Sequence, residues 1–243
     1  MHYRILVVGY KGVVGNATYQ LLNRLGYRVH GIDVGDEIIE SDIAFICLPE
    51  ALVVPEQLAS YKTSLFVVRS TVPPGTCENI QDRLGIHTLH NPAFLREITA
   101  IMDSFNPDRV VIGECCKEHG DIINGIYEAL RRPIYRSCRK VTELMKLACN
   151  GWLATVISYW NEVDEIAKRL GISGTEVGML ASTDPRIGFY GSRFHSKFGE
   201  KCLRKDLRHL INVARSTGTN PMLLESLMRV NENEDSCNDS CSQ

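Results

Sequence analysis

A chain of 243 residues with 44% hydrophobic and 23% charged side chains is long enough to bury a full core, as one large domain or two modest ones. Its formal net charge of -2 gives no reason to expect a nucleic acid or an anionic membrane as partner, and neither is expected. No apolar run approaches bilayer length, and Met1-His2-Tyr3-Arg4 leads straight into a strand-like segment, so the expectation is a cytoplasmic protein with no signal peptide.

From Tyr3 to Val8 an apolar, β-branched run stops at Gly9, and apolar residues at helical spacing follow from Val13 to Leu25, ended by Gly26. Further strand-like runs are Arg28–Asp33, Ile43–Leu48, Ser64–Ser70, Ile86–His90 and Arg109–Gly113, alternating with helical stretches around Gln57, Asn79 and Ile123. That alternation predicts an α/β fold, a Rossmann-like, doubly wound and mainly parallel sheet with helices on both faces. The pattern changes near Lys140. Val141 to Leu170 reads as one long helix whose only breaker is Gly151, at a cost of about 1 kcal/mol. Helices near 175–181, 203–216 and 221–230 follow, with a loop over 184–201. The expected organisation is a sheet domain over residues 1–138, an all-helical domain over 139–231, and a disordered acidic tail over 232–243.

Nine cysteines is a high count, yet the odd number, the chain length and the missing secretory signal argue for reduced thiols over a disulfide framework. Cys47, Cys77 and Cys149 lie on apolar stretches and read as small core residues. Cys115-Cys116 and the tail pair Cys237 and Cys241 have no His or second Cys pair at metal-ligand spacing, so no metal site is expected. Cys202 differs. In Phe198-Gly199-Glu200-Lys201-Cys202-Leu203-Arg204-Lys205-Asp206 a thiol stands among cations, with a carboxylate four residues on. A thiolate near a nicotinamide can hold an aldehyde covalently between two hydride transfers.

Gly9-Tyr10-Lys11-Gly12-Val13-Val14-Gly15 lies between the first strand and first helix, where backbone N–H groups and a helix N-terminus can meet a pyrophosphate. Its spacing departs from G-x-G-x-x-G by one inserted residue. Asp33, at the end of the second strand, can accept from an adenosine ribose, or can be a simple turn-forming residue. No arginine follows it to receive a 2'-phosphate, which favours NAD over NADP. Thr71, after the fourth strand, sits at the edge where such sheets bind ligands, although a polar strand end before Pro73-Pro74-Gly75 accounts for it equally well.

Several blocks carry a resemblance: Ser70-Thr71-Val72-Pro73-Pro74-Gly75-Thr76, Asn91-Pro92-Ala93-Phe94-Leu95-Arg96-Glu97, Asn106-Pro107-Asp108-Arg109, Glu143-Leu144-Met145-Lys146-Leu147-Ala148-Cys149-Asn150, Asn161-Glu162, Asp184-Pro185-Arg186-Ile187-Gly188 and the Cys202 segment. In this order they make the chain similar to the UDP-glucose/GDP-mannose dehydrogenase family. The resemblance implies an oxidation of the UDP-glucose 6-dehydrogenase type, in which two NAD molecules in succession take a nucleotide sugar's primary alcohol to the carboxylate. Cys202 then matches the nucleophile, carrying a thiohemiacetal and then a thioester. Lys146 and Asn150, four apart on one helix, match residues that stabilise negative charge on the reacting oxygen. Periodicity alone would equally make them solvated helix residues. Asp206 and Glu97 match carboxylates that position the hydrolytic water, and Thr71 joins the catalytic set. The implied cofactor contacts are Gly9, Tyr10, Lys11, Gly12, Val13, Val14, Asp33, Pro49, Ser70 and Thr71. The implied substrate contacts are Phe94, Leu95, Arg96, Lys146, Asn150, Arg186 and Lys205, and a homodimer formed through the long helix is expected.

Departures accompany the match. Ala93 stands where the family commonly has a glutamate tied to substrate contact and thioester hydrolysis. Residues 192–197 and 200–201 are bulky and charged where relatives are Gly-rich or apolar. Relatives also carry a third domain for the nucleotide, without counterpart here, so a separate chain supplying it is one expectation. Between Arg186 and His209 seven Lys or Arg face two acids, a patch suited to a diphosphate or simply a solvated loop. Two other readings stand beside the first: a catalytically weakened NAD-binding subunit, and a two-electron dehydrogenase of the 3-hydroxyacid or 6-phosphogluconate type.

Overall fold

The computed structural model describes residues 3–192, Phe198 and residues 203–238. The chain divides into two units, Met1–Lys146 and Leu147–Gln243.

The first unit is built on seven strands: β1 (Arg4–Val8), β2 (Arg28–Ile32), β3 (Ile43–Ile46), β4 (Leu65–Val68), β5 (His87–His90), β6 (Val110–Glu114) and β7 (Ile134–Cys138). They form one sheet in the order β2-β1-β3-β4-β5-β6-β7, parallel throughout except where β6 runs antiparallel to β5. Five helices belong to it: α1 (Val13–Arg24), α2 (Pro55–Leu58), α3 (Thr76–Leu84), α4 (Ala100–Phe105) and α5 (Lys117–Tyr127). The sheet is covered on both faces, so its central strands have no polar side: every residue of β3 and β4 is buried. Alternate residues separate into two cores. Val7, Phe45 and Val67 pack with Leu22 of α1 and Ile123 of α5, while Val8, Ile46 and Phe66 pack with Leu58 of α2 and Ile80 of α3.

The mainly parallel, two-faced sheet agrees with the alternation read from sequence. Two elements were not foreseen. Strand β7 has no fully buried residue, because as an edge strand it has little to cover it, so no two-residue alternation marks it. Helix α4 is only six residues long and leaves too short a period to see.

The second unit contains most of α6 (Arg139–Arg169), then α7 (Gly174–Ala181), α8 (Lys205–Ser216) and α9 (Met222–Asn238). Ala154 and Ile157 of α6, Leu207 and Ile211 of α8, and Leu227 and Met228 of α9 make its core, with Phe198. Gly151, unfavourable within a helix, faces α8: a Cβ there would lie 2.9 Å from the end of the Leu210 side chain, which would have to shift. The division between units falls inside α6, although the sequence pattern changes near Lys140. The first turns of α6 are bound into the sheet unit through Thr142, Glu143 and Lys146, as described below. Helix α9 continues to Asn238 rather than ending near Val230, there being no Gly or Pro after Pro221 to stop it. Among the described residues, no helix is long and apolar enough to cross a membrane.

Candidate active site

The turn from Gly9 to Gly12 lies at the carboxyl end of β1, beside the point where the sheet order reverses between β1 and β3. Such a switch point leaves a crevice for a ligand. Gly9 has φ +83° and donates its N–H to the Ile32 carbonyl at 2.8 Å, while Gly12 donates to the Gly9 carbonyl at 3.1 Å. A Cβ on Gly15 would fall 1.9 Å from that same carbonyl oxygen, so strand and helix come together only over a glycine. No side chain caps α1, which begins beside an exposed Lys11, Gly12 and Val13. These residues fit a pyrophosphate. Asp33 is drawn to the same turn: the Lys11 N–H donates to its Oδ2 at 3.3 Å, and Lys11 Nζ stands 3.9 Å away. Tyr10 is half-buried, its ring 5.9 Å from that of Tyr19. Pro49 is exposed at the end of β3, opening a 3-10 turn over Glu50–Leu52.

The loop after β4 is held by buried polar side chains. Ser70 donates its hydroxyl to the Leu48 carbonyl at 2.6 Å, tying the end of β4 to that of β3, so this hydroxyl shapes the crevice and its proton is already placed. Thr71 follows it, half-buried. Glu143 of α6, fully buried, accepts from the Gly75 N–H at 2.6 Å and the Cys77 N–H at 2.9 Å. It caps α3 from a distance in sequence of more than sixty residues. One signal for this existed: α3 follows Pro73-Pro74-Gly75, which offers no Ser, Thr, Asp or Asn as its own cap.

Sequence reasoning also passed over two other buried groups. Arg69, beside Ser70, bonds through Nη1 to Asn91 Oδ1 and to Tyr127 Oη at 2.8 Å. Asn91 in turn donates to the Val111 carbonyl at 2.7 Å, so four elements share one network. Burial pushes the Tyr127 phenol up. His90, the last residue of β5, has Nδ1 2.9 Å from Thr142 Oγ1. Burial drives its imidazole down to about 3, with the Lys146 and Arg69 charges adding to the fall, and the ring is neutral. Cys77 is buried as expected. Cys47 is only partly covered, and burial pushes its thiol up to about 11.

Lys146 is buried, with Nζ 4.9 Å from the centre of the Phe94 ring, and the Arg109 guanidinium lies 4.2 Å from the same ring. Phe94 thereby positions two cations by their attraction to its π face. Ala93 is buried beside it and Leu95 half-buried. Arg96 turns to Asp103, which accepts from its backbone N–H at 2.9 Å and its Nη2 at 2.6 Å and is held well below the usual carboxylate range by that guanidinium. Glu97 is exposed and opens the turn Glu97–Thr99.

In the helical unit Asn150 and Asp206 meet. Asn150 Nδ2 donates to Asp206 Oδ2, and Lys205 Nζ lies 3.1 Å from Asp206 Oδ1. Asp206 is 2% exposed and Asn150 8%. The pairing joins α6 to the first turn of α8 across 56 positions. Arg186 is exposed and engaged by Asp184, with Nη2 2.6 Å from its Oδ2. Cys202, Lys201, Arg193 and Lys197 lie outside the described residues.

A model of the UDP-glucose/GDP-mannose dehydrogenase family's NAD binding domain matches residues 53–131, and a model of its central domain matches residues 140–233. The GDP-mannose 6-dehydrogenase of Pseudomonas putida is 38% identical over 215 residues, 83% of this chain and 48% of that protein. The chain thus spans about half the length of the curated relatives it matches. Among solved structures, a UDP-glucose dehydrogenase from the hyperthermophilic archaeon Pyrobaculum islandicum matches with TM-score 0.84 and 28% identity, over 96% of this chain and 68% of that one. The ternary complex of GDP-mannose dehydrogenase from Pseudomonas aeruginosa matches with TM-score 0.66 and 31% identity, over 95% of this chain and 68% of that one. With both family domains matched in order and the fold shared almost end to end, the chain belongs to the UDP-glucose/GDP-mannose dehydrogenase family.

Proposed function

We propose that the protein is an NAD-dependent dehydrogenase that oxidises a nucleotide sugar's primary alcohol to the uronic acid through a covalent intermediate on Cys202. The observation that carries this reading is the buried Asn150–Asp206 pair. A carboxylate 2% exposed and an amide 8% exposed are costly for a small helical core to hold. Both occupy positions that the family resemblance assigns to the reaction, and Asp206 lies four residues beyond Cys202.

NAD, when bound, accepts one hydride in each oxidation. The turn Gly9–Gly12, closed by its own hydrogen bonds, would let the pyrophosphate approach the uncapped start of α1, where Val13 and Val14 would offer their N–H groups, Asp33 would meet the ribose, and Pro49, Ser70 and Thr71 would shape the rest of the crevice. The alcohol loses a hydride and a proton to become an aldehyde. The Cys202 thiolate adds to the aldehyde carbon, forming a C–S bond and leaving negative charge on oxygen. Lys146 and Asn150, one turn apart on α6, stabilise that charge. Departure of a second hydride turns the adduct into a thioester. Water positioned by Asp206 and Glu97 then attacks the carbonyl, the C–S bond breaks, and acid and thiol separate. Phe94, Leu95, Arg96, Arg186 and Lys205 are the proposed substrate contacts.

Purified protein supplied with NAD and, in turn, UDP-glucose, UDP-N-acetyl sugars and GDP-mannose tests this. Two NAD reduced per sugar, with an adduct on Cys202 in quenched samples, is the expected result. One NAD per substrate and indifference to Cys202→Ser would overturn it in favour of a two-electron dehydrogenase. Ala93 favours a second reading, an NAD-binding partner subunit with weak hydrolysis, whose signature is NAD binding without turnover.

The assembly is proposed to be a homodimer. Trp152, Tyr159 and Ile166, seven apart on α6, are 64%, 57% and 58% exposed and form one apolar stripe. Sedimentation at assay concentration should show a dimer, and Trp152→Glu a monomer.

A further inference from the structure

Four side chains that the proposed reaction does not use converge at the edge of the sheet opposite the glycine turn. His87 begins β5, Cys115 and Cys116 follow the last residue of β6, and His119 lies in the first turn of α5. Because β5 and β6 are antiparallel, the start of one meets the end of the other, which gathers residues 28 to 32 positions apart. Cys116 Sγ stands 3.0 Å from His119 Nδ1, Cys115 Sγ 3.7 Å from His87 Nδ1, and the two sulfurs are 4.0 Å apart. The imidazole rings stack with centroids 4.1 Å apart at 29°. One donor atom from each residue lies within 4.8 Å of all the others.

Two sulfurs and two imidazole nitrogens are the donor set of a structural zinc site. Tetrahedral zinc, with bonds of about 2.3 Å to sulfur and about 2.0 Å to nitrogen, sets its ligands roughly 3.3–3.8 Å apart. The separations of 3.0, 3.7 and 4.0 Å fall around that range. His87 is exposed and the other three are half-buried, so an ion has a path in from solvent. The location also gives the ion a task. The seam between β5 and β6 has a single register pair, His90 opposite Gly113, whereas β6 and β7 are paired over five residues. Continuing the register past that pair would set His87 against Cys116, where no pairing is recorded among the described residues. The donors therefore sit where the sheet is least closed.

We propose that His87, Cys115, Cys116 and His119 bind one zinc ion that staples β5, β6 and α5 together. Sequence reasoning missed this set in two ways: it passed over His119, three residues after Cys116 in the first turn of α5, and it could not see His87, which arrives by sheet topology.

The protein is reduced, stripped with a chelator and titrated anaerobically with cobalt, then zinc. One cobalt per chain should bind with the visible absorption of tetrahedral thiolate coordination, and zinc should displace it. His87→Ala, chosen because His87 is exposed and the fold does not need it, and Cys116→Ser should each weaken cobalt binding by at least about tenfold, about 1.4 kcal/mol. Cys237→Ser and Cys241→Ser should bind as the parent does. Zinc at about a hundredfold over its Kd should raise the melting temperature by roughly 5–10 °C in the parent, and not in His87→Ala. Zinc should also slow alkylation of Cys115 and Cys116, read by peptide mass. The proposal is overturned if the reduced protein takes up no stoichiometric cobalt. It is equally overturned if uptake survives in both ligand variants and disappears with Cys202→Ser, or if zinc leaves the alkylation rates unchanged.

Discussion

In the sheet unit, three of the buried polar side chains are anchored on backbone: Glu143 to the Gly75 and Cys77 N–H groups, Ser70 to the Leu48 carbonyl, Asn91 to the Val111 carbonyl. In the helical unit Asn150 and Asp206 bond to each other, with Lys205 at the second carboxylate oxygen. A backbone partner neither titrates nor rotates away, so the first arrangement fixes the shape of a binding edge. A pair of side chains keeps groups that can exchange partners when a substrate oxygen or a water arrives. On the proposed reading, the first arrangement holds and the second reacts.

The sharpest way to break that contrast is at the thiol. Cys202→Ala should lower turnover by at least roughly 10³-fold while leaving NAD affinity unchanged, measured by steady-state kinetics and fluorescence titration. Loss of NAD binding in that variant would mean that the two functions are not divided as described. Next in size is Glu143→Ala, which strands two N–H groups away from water and should destabilise the protein by about 3 kcal/mol in urea unfolding. A change under about 0.5 kcal/mol would show the α3 loop to be held by other means.

A pH series sharpens the same point, since His90 is buried neutral. Its folded value of about 3 lies below the ordinary 6.5, so below pH 6.5 the unfolded chain takes up a proton that the folded one refuses. The stability that depends on it is full above pH 6.5 and drains as pH falls toward 3, with a slope approaching about 1.4 kcal/mol per pH unit. His90→Gln should shrink the difference between the unfolding free energies at pH 7 and pH 5, read from urea unfolding, by about 1–2 kcal/mol. Gly15→Ala pushes a methyl into the Gly9 carbonyl and should weaken NAD binding by roughly tenfold or more, seen by titration calorimetry. Smallest is Arg186→Ala: its solvent-screened pair with Asp184 should leave the urea midpoint unchanged, so a rise in KM in that variant would mark a substrate contact.

Much of the sheet unit was legible because its signals are local. A glycine turn after an apolar run, an aspartate ending the second strand and two-faced hydrophobic strands each follow from neighbouring residues and short-range sterics. The long helix and its glycine were visible for the same reason. Strand β7 was not, since an edge strand buries no fully covered residue and shows no alternation. The candidate catalytic positions rested on family motifs, because a lysine and an asparagine four apart look alike on a solvated and a buried helix face.

What the linear order of residues determined by itself is the kind of fold and the glycine turn after the first strand, both written in period and turn chemistry. Only the tertiary structure decided which polar groups meet. Glu143 reaches α3, Asn150 reaches Asp206, and His87 reaches Cys115, across separations of 28 to 68 positions. Such meetings depend on the direction and register of whole elements, a property no single segment of sequence contains.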